Sequence, residues 1–151
     1  MSWAVYALFS AIFAGATALL AKIGVSEISS NLATLIRTGV ILVFSAAIVA
    51  SRGELAQVRH IESRTWLFLV LSGIATGLSW LFYFAALKAG PISRVAPIDK
   101  LSFVIAVILG IVFLREKVNS VTTVGIVLIV IGVLITLPDV QQAIGQWKEK
   151  L

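Results

Sequence analysis

Residues 66–87 read WLFLVLSGIATGLSWLFYFAAL, a run that contains no charged residue. A helix needs about 20 mainly apolar residues to cross the hydrocarbon core of a bilayer, and this run is long enough. The other runs of this kind lie at 3–21, 32–50, 97–114 and 121–137. Continuous apolar runs favour helices over the alternating strands of a membrane barrel. The sequence therefore predicts an all-α membrane protein, a bundle of five transmembrane helices in one domain at 1–138.

The composition supports lipid as the solvent of most of the surface. Of the 151 residues, 60% are hydrophobic and 13% are charged, whereas soluble domains carry about 25% charged residues. The net charge of +5 comes from basic residues spread over the connections, which argues against nucleic acid as a partner. The chain has no cysteine and a single histidine, His60, so we predict no metal site and no cofactor.

The last residues have a different pattern. Within 139–151, apolar residues recur at helical spacing at Val140, Ile144, Trp147 and Leu151. Such a stripe is typical of a short amphipathic helix that lies in the membrane interface. A frayed polar tail fits the same residues equally well.

Small residues at helical spacing indicate where helices pack. Lipid gives helices no hydrophobic reason to associate, so close contact between backbones must supply it. Residues 73–77, GIATG, form a GxxxG pattern in the third helix. The glycines that we expect at helix contacts are Gly15, Gly73, Gly77, Gly110, Gly125 and Gly132.

Three ionisable residues, Arg37, Asp99 and Lys100, lie inside the apolar helices. Each costs about 2.5–3.5 kcal/mol to insert, so such groups are functional candidates. All three fall in one layer near the same face of the membrane. Neighbouring helical residues point about 100° apart, so we expect Asp99 to face Arg37 while Lys100 extends to the headgroups. This layer fits a substrate path and an ion pair that only pins two helices equally well.

Other side chains could border a cavity at the same level. The candidates are Trp80, Tyr83 and Ser102. Pro97 permits a break near the start of the fourth helix, which would free carbonyl groups to line that cavity. The sequence contains no set of nucleophile and base at one depth, so we predict no catalytic residues and no enzyme activity.

Several segments together resemble a known family. They are ALKAGPISRVAPIDKLS at 86–102, FLREK at 113–117 with Gly125 and Gly132 after it, Gly15 to Lys22, and ATLIRT at 33–38. In these segments the chain resembles the EamA domain of the drug/metabolite transporter superfamily, over nearly its whole length. The segments are loose singly and specific together.

The resemblance implies transport of a small metabolite, amino acid, drug or nucleotide sugar. It also implies that this chain is one half of the usual ten-helix inverted-repeat transporter, in a prokaryotic inner membrane. The related small multidrug-resistance proteins carry a Glu in helix one, which this chain lacks. Proton-coupled cation exchange of their kind is therefore not expected.

Two functions follow from these observations. The first is secondary transport of a small molecule by a homodimer that works by alternating access. The alternative is an accessory membrane subunit that pairs with another five-helix protein and has no substrate of its own.

Five cations against two carboxylates at one face favour an anionic or zwitterionic substrate. They are Lys22, Arg37, Lys88, Arg94 and Lys100 against Glu27 and Asp99.

The orientation of the two copies stays open. The positive-inside rule counts Lys and Arg in short loops and near helix ends. Five crossings put five such residues on each side, which leaves an antiparallel dimer as possible as a parallel one. One side has Arg52, Arg59, Arg64, Arg115 and Lys117, and the other has Lys22, Lys88, Arg94, Lys148 and Lys150.

Overall fold

The computed structural model describes residues 2–138, 140–142 and 146, and every regular element within them is helical. The elements are α1 Trp3–Gly24, α2 Ser30–Ser51, a 3-10 helix Glu54–His60, α3 Ser63–Ala89, α4 Ile92–Asp99, α5 Leu101–Leu114 and α6 Ser120–Ile135. The predicted all-α class is confirmed for this part of the chain.

Four helical stretches are long and apolar enough to cross a membrane. They are α1, α2, α3 and the stretch Ile92–Leu114, which combines α4 and α5. The fifth apolar helix, α6, has 16 residues and is therefore about 24 Å long at 1.5 Å per residue. That is shorter than the hydrocarbon core of about 30 Å, so the fifth crossing stays a prediction.

Two helix starts are capped by side chains. The hydroxyl of Ser29 accepts a hydrogen bond of 3.2 Å from the Leu32 amide at the start of α2. At the start of α6 the side chain of Asn119 accepts from the Thr122 amide at 2.8 Å. Both side chains satisfy one of the amide groups that a helix start leaves without a partner.

The fourth spanning stretch begins earlier than expected and is interrupted. It starts at Ile92 rather than at residue 97, directly after the breaker pair Gly90-Pro91. The expected break lies at Lys100, where the amide donates to the Pro97 carbonyl at 3.0 Å. This three-residue turn replaces a regular helical bond, and Pro97 lies one turn before it. Proline removes a donor and crowds the preceding turn, which explains a break at this point.

The predicted interfacial tail can be compared only in part. Residues 140–142 and 146 are helical. Ile144, Trp147 and Leu151 lie outside the described residues, so the apolar stripe stays a prediction.

The chain divides into two compact units, residues 1–90 and 91–151. In the first unit α3 packs against both α1 and α2, and in the second α5 packs against α4 and α6. The buried side chains of the first unit gather where α1 and α3 end and α2 begins. They are Ala18, Ala21, Val25, Ala33, Thr34, Phe84 and Leu87. This end of the first unit is the packed core, and most apolar side chains elsewhere are exposed.

Candidate functional site

Two lysines bind backbone carbonyl groups at the packed end of the first unit. The ammonium of Lys22, near the end of α1, donates to the carbonyl oxygens of Leu87 and Gly90, the latter at 2.8 Å. Lys88, at the end of α3, donates to the carbonyl of Ile28 in the α1–α2 connection. The last carbonyl groups of a helix lack partners within it and carry partial negative charge, so a lysine satisfies them well.

These contacts change the argument for an anionic substrate. From the sequence, Lys22 and Lys88 were expected to be among the cations that attract an anionic substrate. Both ammonium groups are engaged with carbonyl oxygens, so their first role is to hold α1, α3 and the α1–α2 connection together. The residue that remains in the first unit for charge recognition is Arg37.

Arg37 lies on the aromatic side chains of α3. The centre of its guanidinium is 4.4 Å from the ring centroid of Trp80 and 5.5 Å from that of Phe84. Tyr83, on the same helix, interacts electrostatically with Arg37. A cation over an aromatic face is attracted by the ring quadrupole, by about 2 kcal/mol when water is excluded. The stack therefore fixes the direction of a half-buried charge inside the apolar part of α2.

No carboxylate neutralises Arg37 within the first unit. Among the described residues of 2–90, no Asp or Glu side chain lies within 4.0 Å of a Lys or Arg nitrogen. A planar guanidinium suits bidentate recognition of a carboxylate or phosphate. Arg37 thus combines fixed orientation with an unused capacity to bind an anion.

A cavity of about 320 Å³ lies beside the guanidinium, at the small end of the range of ligand sites. Its walls come from all three helices of the first unit and from the α1–α2 connection. The lining residues are Thr17, Leu20, Ala21, Gly24, Ile28, Ala33, Ile36, Arg37 and Phe84. Because Arg37 is the one charged residue among them, the cavity offers a cation in mainly apolar surroundings.

A second cavity, of about 460 Å³, lies between α2 and α3. It is lined by Thr38, Ile41, Leu42, Ser45, Leu69, Ser72, Gly73, Thr76, Gly77 and Trp80. Trp80 thus contacts Arg37 on one side and borders this cavity. None of its lining residues is charged.

Asp99 and Lys100, the two charged residues predicted inside the fourth helix, bind each other. The ammonium of Lys100 lies 3.6 Å from a carboxylate oxygen of Asp99. The expectation that these neighbouring side chains diverge is therefore wrong. The helix is interrupted at Lys100, so the 100° separation of a regular helix does not apply there. A role of Asp99 and Lys100 in a substrate path stays a prediction, as does a place for the exposed Ser102 in a cavity wall.

The glycines expected at helix contacts differ in their surroundings. A methyl group added to Gly15, Gly73, Gly77, Gly125 or Gly132 meets no heavy atom of the described chain within 4 Å. At Gly110 it would lie 3.0 Å from a carboxylate oxygen of Glu116. Gly110 is buried, and its carbonyl accepts from the amides of Arg115 and Glu116. Packing of the other five against helices stays a prediction.

Sequence reasoning named Arg37 and Trp80, which the structure brings into contact, but it did not name most of the residues that line the two cavities. Phe84 lies one turn after Trp80, on the same face of α3, and that spacing is the signal that could have revealed it. The hydroxyl residues Thr38, Ser72 and Thr76 carry no such signal, since isolated Ser and Thr are common in transmembrane helices. Among the described residues no group of three or more His, Cys, Asp and Glu side chains is placed to hold a metal ion.

Long apolar helices, an intramembrane arginine and cavities between the helices define an integral, multi-pass membrane protein. The chain belongs to the EamA-like transporter family, whose model matches residues 1–137. A relative from Sinorhizobium sp, named "Uncharacterized transporter in cobO 3'region", is 54% identical over 134 residues, which are 89% of this chain and 95% of the relative. No solved structure matches the chain significantly. The predicted family is confirmed, and the protein is a membrane transporter.

Proposed function

We propose that the protein is a secondary transporter of small organic acids, and that Arg37 binds the carboxylate of the substrate. The observation that carries this proposal is the guanidinium of Arg37, held 4.4 Å from the ring centroid of Trp80 beside a cavity of about 320 Å³. Zwitterionic metabolites such as amino acids also carry the required carboxylate and belong to the same class.

The cost of a charge in the membrane supports a substrate as its partner. An arginine near the centre of a spanning helix costs about 2.5–3.5 kcal/mol to insert. Arg37 follows the start of α2 at Ser30 by about 10 Å at 1.5 Å per residue. The stack on Trp80 and Phe84 offsets part of this cost, and a bound carboxylate would offset more of it by pairing with the charge.

The proposed working unit is a homodimer of five-crossing chains that acts by alternating access. Transporters built from inverted repeats place the substrate near the repeat interface. In this proposal a second copy of the chain supplies the other side of that interface. The exposed small residues at helical spacing are available for the contact between the two copies. We place the dimer in the inner membrane of a prokaryotic cell, in line with the bacterial relative.

Flux into liposomes tests this function. Purified protein is reconstituted, and uptake of labelled monocarboxylates, amino acids and cationic dyes is measured with Arg37→Gln and Arg37→Lys variants. We expect saturable uptake of acids, a loss of about tenfold or more in Arg37→Gln, and partial uptake in Arg37→Lys, which keeps the charge but loses the planar fork.

The matched control is Arg52→Gln, which removes the exposed arginine at the other end of the same helix. This variant should transport like the parent protein. Uptake of cations in preference to acids, or acid uptake that does not depend on Arg37, contradicts the proposal. Absence of any flux would favour the accessory subunit.

A further inference from the structure

The second cavity of the first unit is lined by four hydroxyl groups at neighbouring levels of α2 and α3. They belong to Thr38, Ser45, Ser72 and Thr76. The hydroxyl of Thr38 donates to the Thr34 carbonyl at 2.8 Å, and that of Thr76 donates to the Ser72 carbonyl at 2.8 Å. With their protons used in this way, these two oxygens are left as acceptors toward the cavity.

The two serines of the cavity, Ser45 and Ser72, add hydrogen-bond donors. A serine hydroxyl can both donate and accept, and the hydroxyls of Ser45 and Ser72 make no hydrogen bond within the described part of the chain. Since no charged residue lines the cavity, it cannot neutralise a second charge on a ligand. Its chemistry suits a neutral group that both donates and accepts hydrogen bonds.

The position of this cavity relates it directly to Arg37. Thr38 follows Arg37 on α2, and Trp80, on which the guanidinium lies, forms part of the cavity wall. Phe84, one turn after Trp80, lines the first cavity together with Arg37. The stack of Arg37 with Trp80 and Phe84 therefore contributes to the walls of both cavities.

The cavity also has room on its α3 side. Methyl groups added to Gly73 and Gly77 meet no heavy atom of the described chain within 4 Å. A lipid chain in this space would give the hydroxyls of Ser45 and Ser72 no hydrogen-bond partner, which is unfavourable in a medium that lacks water. A polar part of a substrate, in contrast, satisfies them.

We infer that this cavity, together with Arg37, selects hydroxylated organic acids: Arg37 binds the carboxylate, and the hydroxyls of α2 and α3 bind the neutral hydroxyl groups of the substrate. This inference rests on the proposed function, because it concerns the same substrate. It narrows the substrate class to small acids that carry hydroxyl groups rather than a second charge.

Matched acids of equal chain length test the inference. Propionate, lactate and glycerate, which carry zero, one and two hydroxyl groups, are compared as competitors of uptake in liposomes, with malonate as the acid that carries a second charge. We expect glycerate to compete most strongly, and propionate and malonate least. Thr76→Val and Ser72→Ala should each reduce the preference for glycerate over propionate by about fivefold, the value of one hydrogen bond.

Ser79→Ala is the matched control, since Ser79 lies on α3 but lines neither cavity; it should keep the parent preference. If uptake depends on Arg37 but all three monocarboxylates compete equally, the inference is overturned and the proposed function stands. If uptake does not depend on Arg37, the proposed function is overturned as well.

A second variant distinguishes a substrate from a helix of another copy. Gly77→Leu fills the cavity and should lower competition by glycerate, while the proportion of dimer in detergent stays as in the parent protein. If Gly77→Leu instead reduces the dimer and leaves the preference for glycerate unchanged, the cavity is a contact between chains. That result overturns the inference.

Discussion

The guanidinium of Arg37 on α2 lies 4.4 Å from the ring centroid of Trp80 on α3. This contact joins the intramembrane cation to the helix that forms part of both cavities. It also keeps the charge at a fixed direction, and electrostatic recognition works best when the binding group is oriented in advance. The contact therefore links the packing of α2 on α3 to the binding of an acid.

Substitution of Trp80 tests whether the stack orients Arg37. Trp80→Leu removes the aromatic face and should raise the KM for acids by about three- to thirtyfold, the equivalent of one cation–π contact. Trp80→Phe keeps a smaller ring and should have an intermediate effect. Concentration-dependent uptake measures both. An unchanged KM in Trp80→Leu would show that the stack does not contribute to binding.

The contact between α2 and α3 illustrates what sequence can and cannot provide. The run at 66–87 predicts α3 because continuous apolar composition over that length is itself the physical requirement for a span. Composition also shows that Arg37 is unusual. It contains no information on which helix lies beside Arg37, because that depends on packing between segments far apart in the chain.

The contacts of Lys22 and Lys88 also join segments far apart in the chain, which the sequence alone does not show. Lys22 binds the carbonyl of Leu87, 65 residues away, whereas the sequence alone led us to count it among the cations that favour an anionic substrate. The start of α4 at Ile92, directly after Pro91, was missed because residues 92–96 are more polar than the run that follows. Apolar composition thus located the spans, but it could not show that a helix begins before its apolar run.

Removal of the Lys22 ammonium should lower the stability of the protein. Lys22→Met keeps the apolar stem and leaves the carbonyls of Leu87 and Gly90 without this donor. Hydrogen bonds to charged groups contribute about 1.5–3 kcal/mol, so thermal unfolding in detergent should shift down by several degrees. Lys22→Arg should recover part of the loss. The comparison is Lys88→Met, whose exposed contact with Ile28 should matter less; equal losses in both would contradict the assignment.

Gly110 is the glycine where an added side chain meets a defined neighbour. In Gly110→Ala the new methyl group would lie 3.0 Å from a carboxylate oxygen of Glu116. The end of an exposed glutamate moves easily, and Ala favours helix over Gly by about 1 kcal/mol. We therefore expect a melting temperature close to that of the parent protein. The double variant with Glu116→Ala should be more stable than either single variant. If Gly110→Ala lowers the melting temperature strongly and Glu116→Ala does not restore it, the added methyl group clashes with a residue other than Glu116.

Asp99 and Lys100 form an ion pair with 3.6 Å between the ammonium and a carboxylate oxygen, and single substitutions test their roles separately. Size-exclusion profiles of Asp99→Asn and Lys100→Gln show whether each variant folds. If Asp99 takes part in transport, Asp99→Asn abolishes acid uptake while Lys100→Gln retains most of it. Normal uptake by Asp99→Asn would exclude Asp99 as a proton carrier and as an essential ligand.

The orientation of the chain in the membrane is the last prediction. With five crossings, each side has five Lys or Arg residues in loops and near helix ends, so the insertion machinery has little basis for preferring one orientation. We expect reporters fused to the C-terminus to give signal from both sides of the membrane. Adding one Arg to the loop at 52–62, or replacing Arg59 there by Gln, should shift the signal in opposite directions. In a variant whose signal has shifted to one side, reporters at the N-terminus show in addition whether the 16-residue helix α6 crosses, since five crossings put the two ends on opposite sides. A C-terminus found on one side in every variant would rule out an antiparallel homodimer and leave a parallel dimer or a second five-helix protein as the partner.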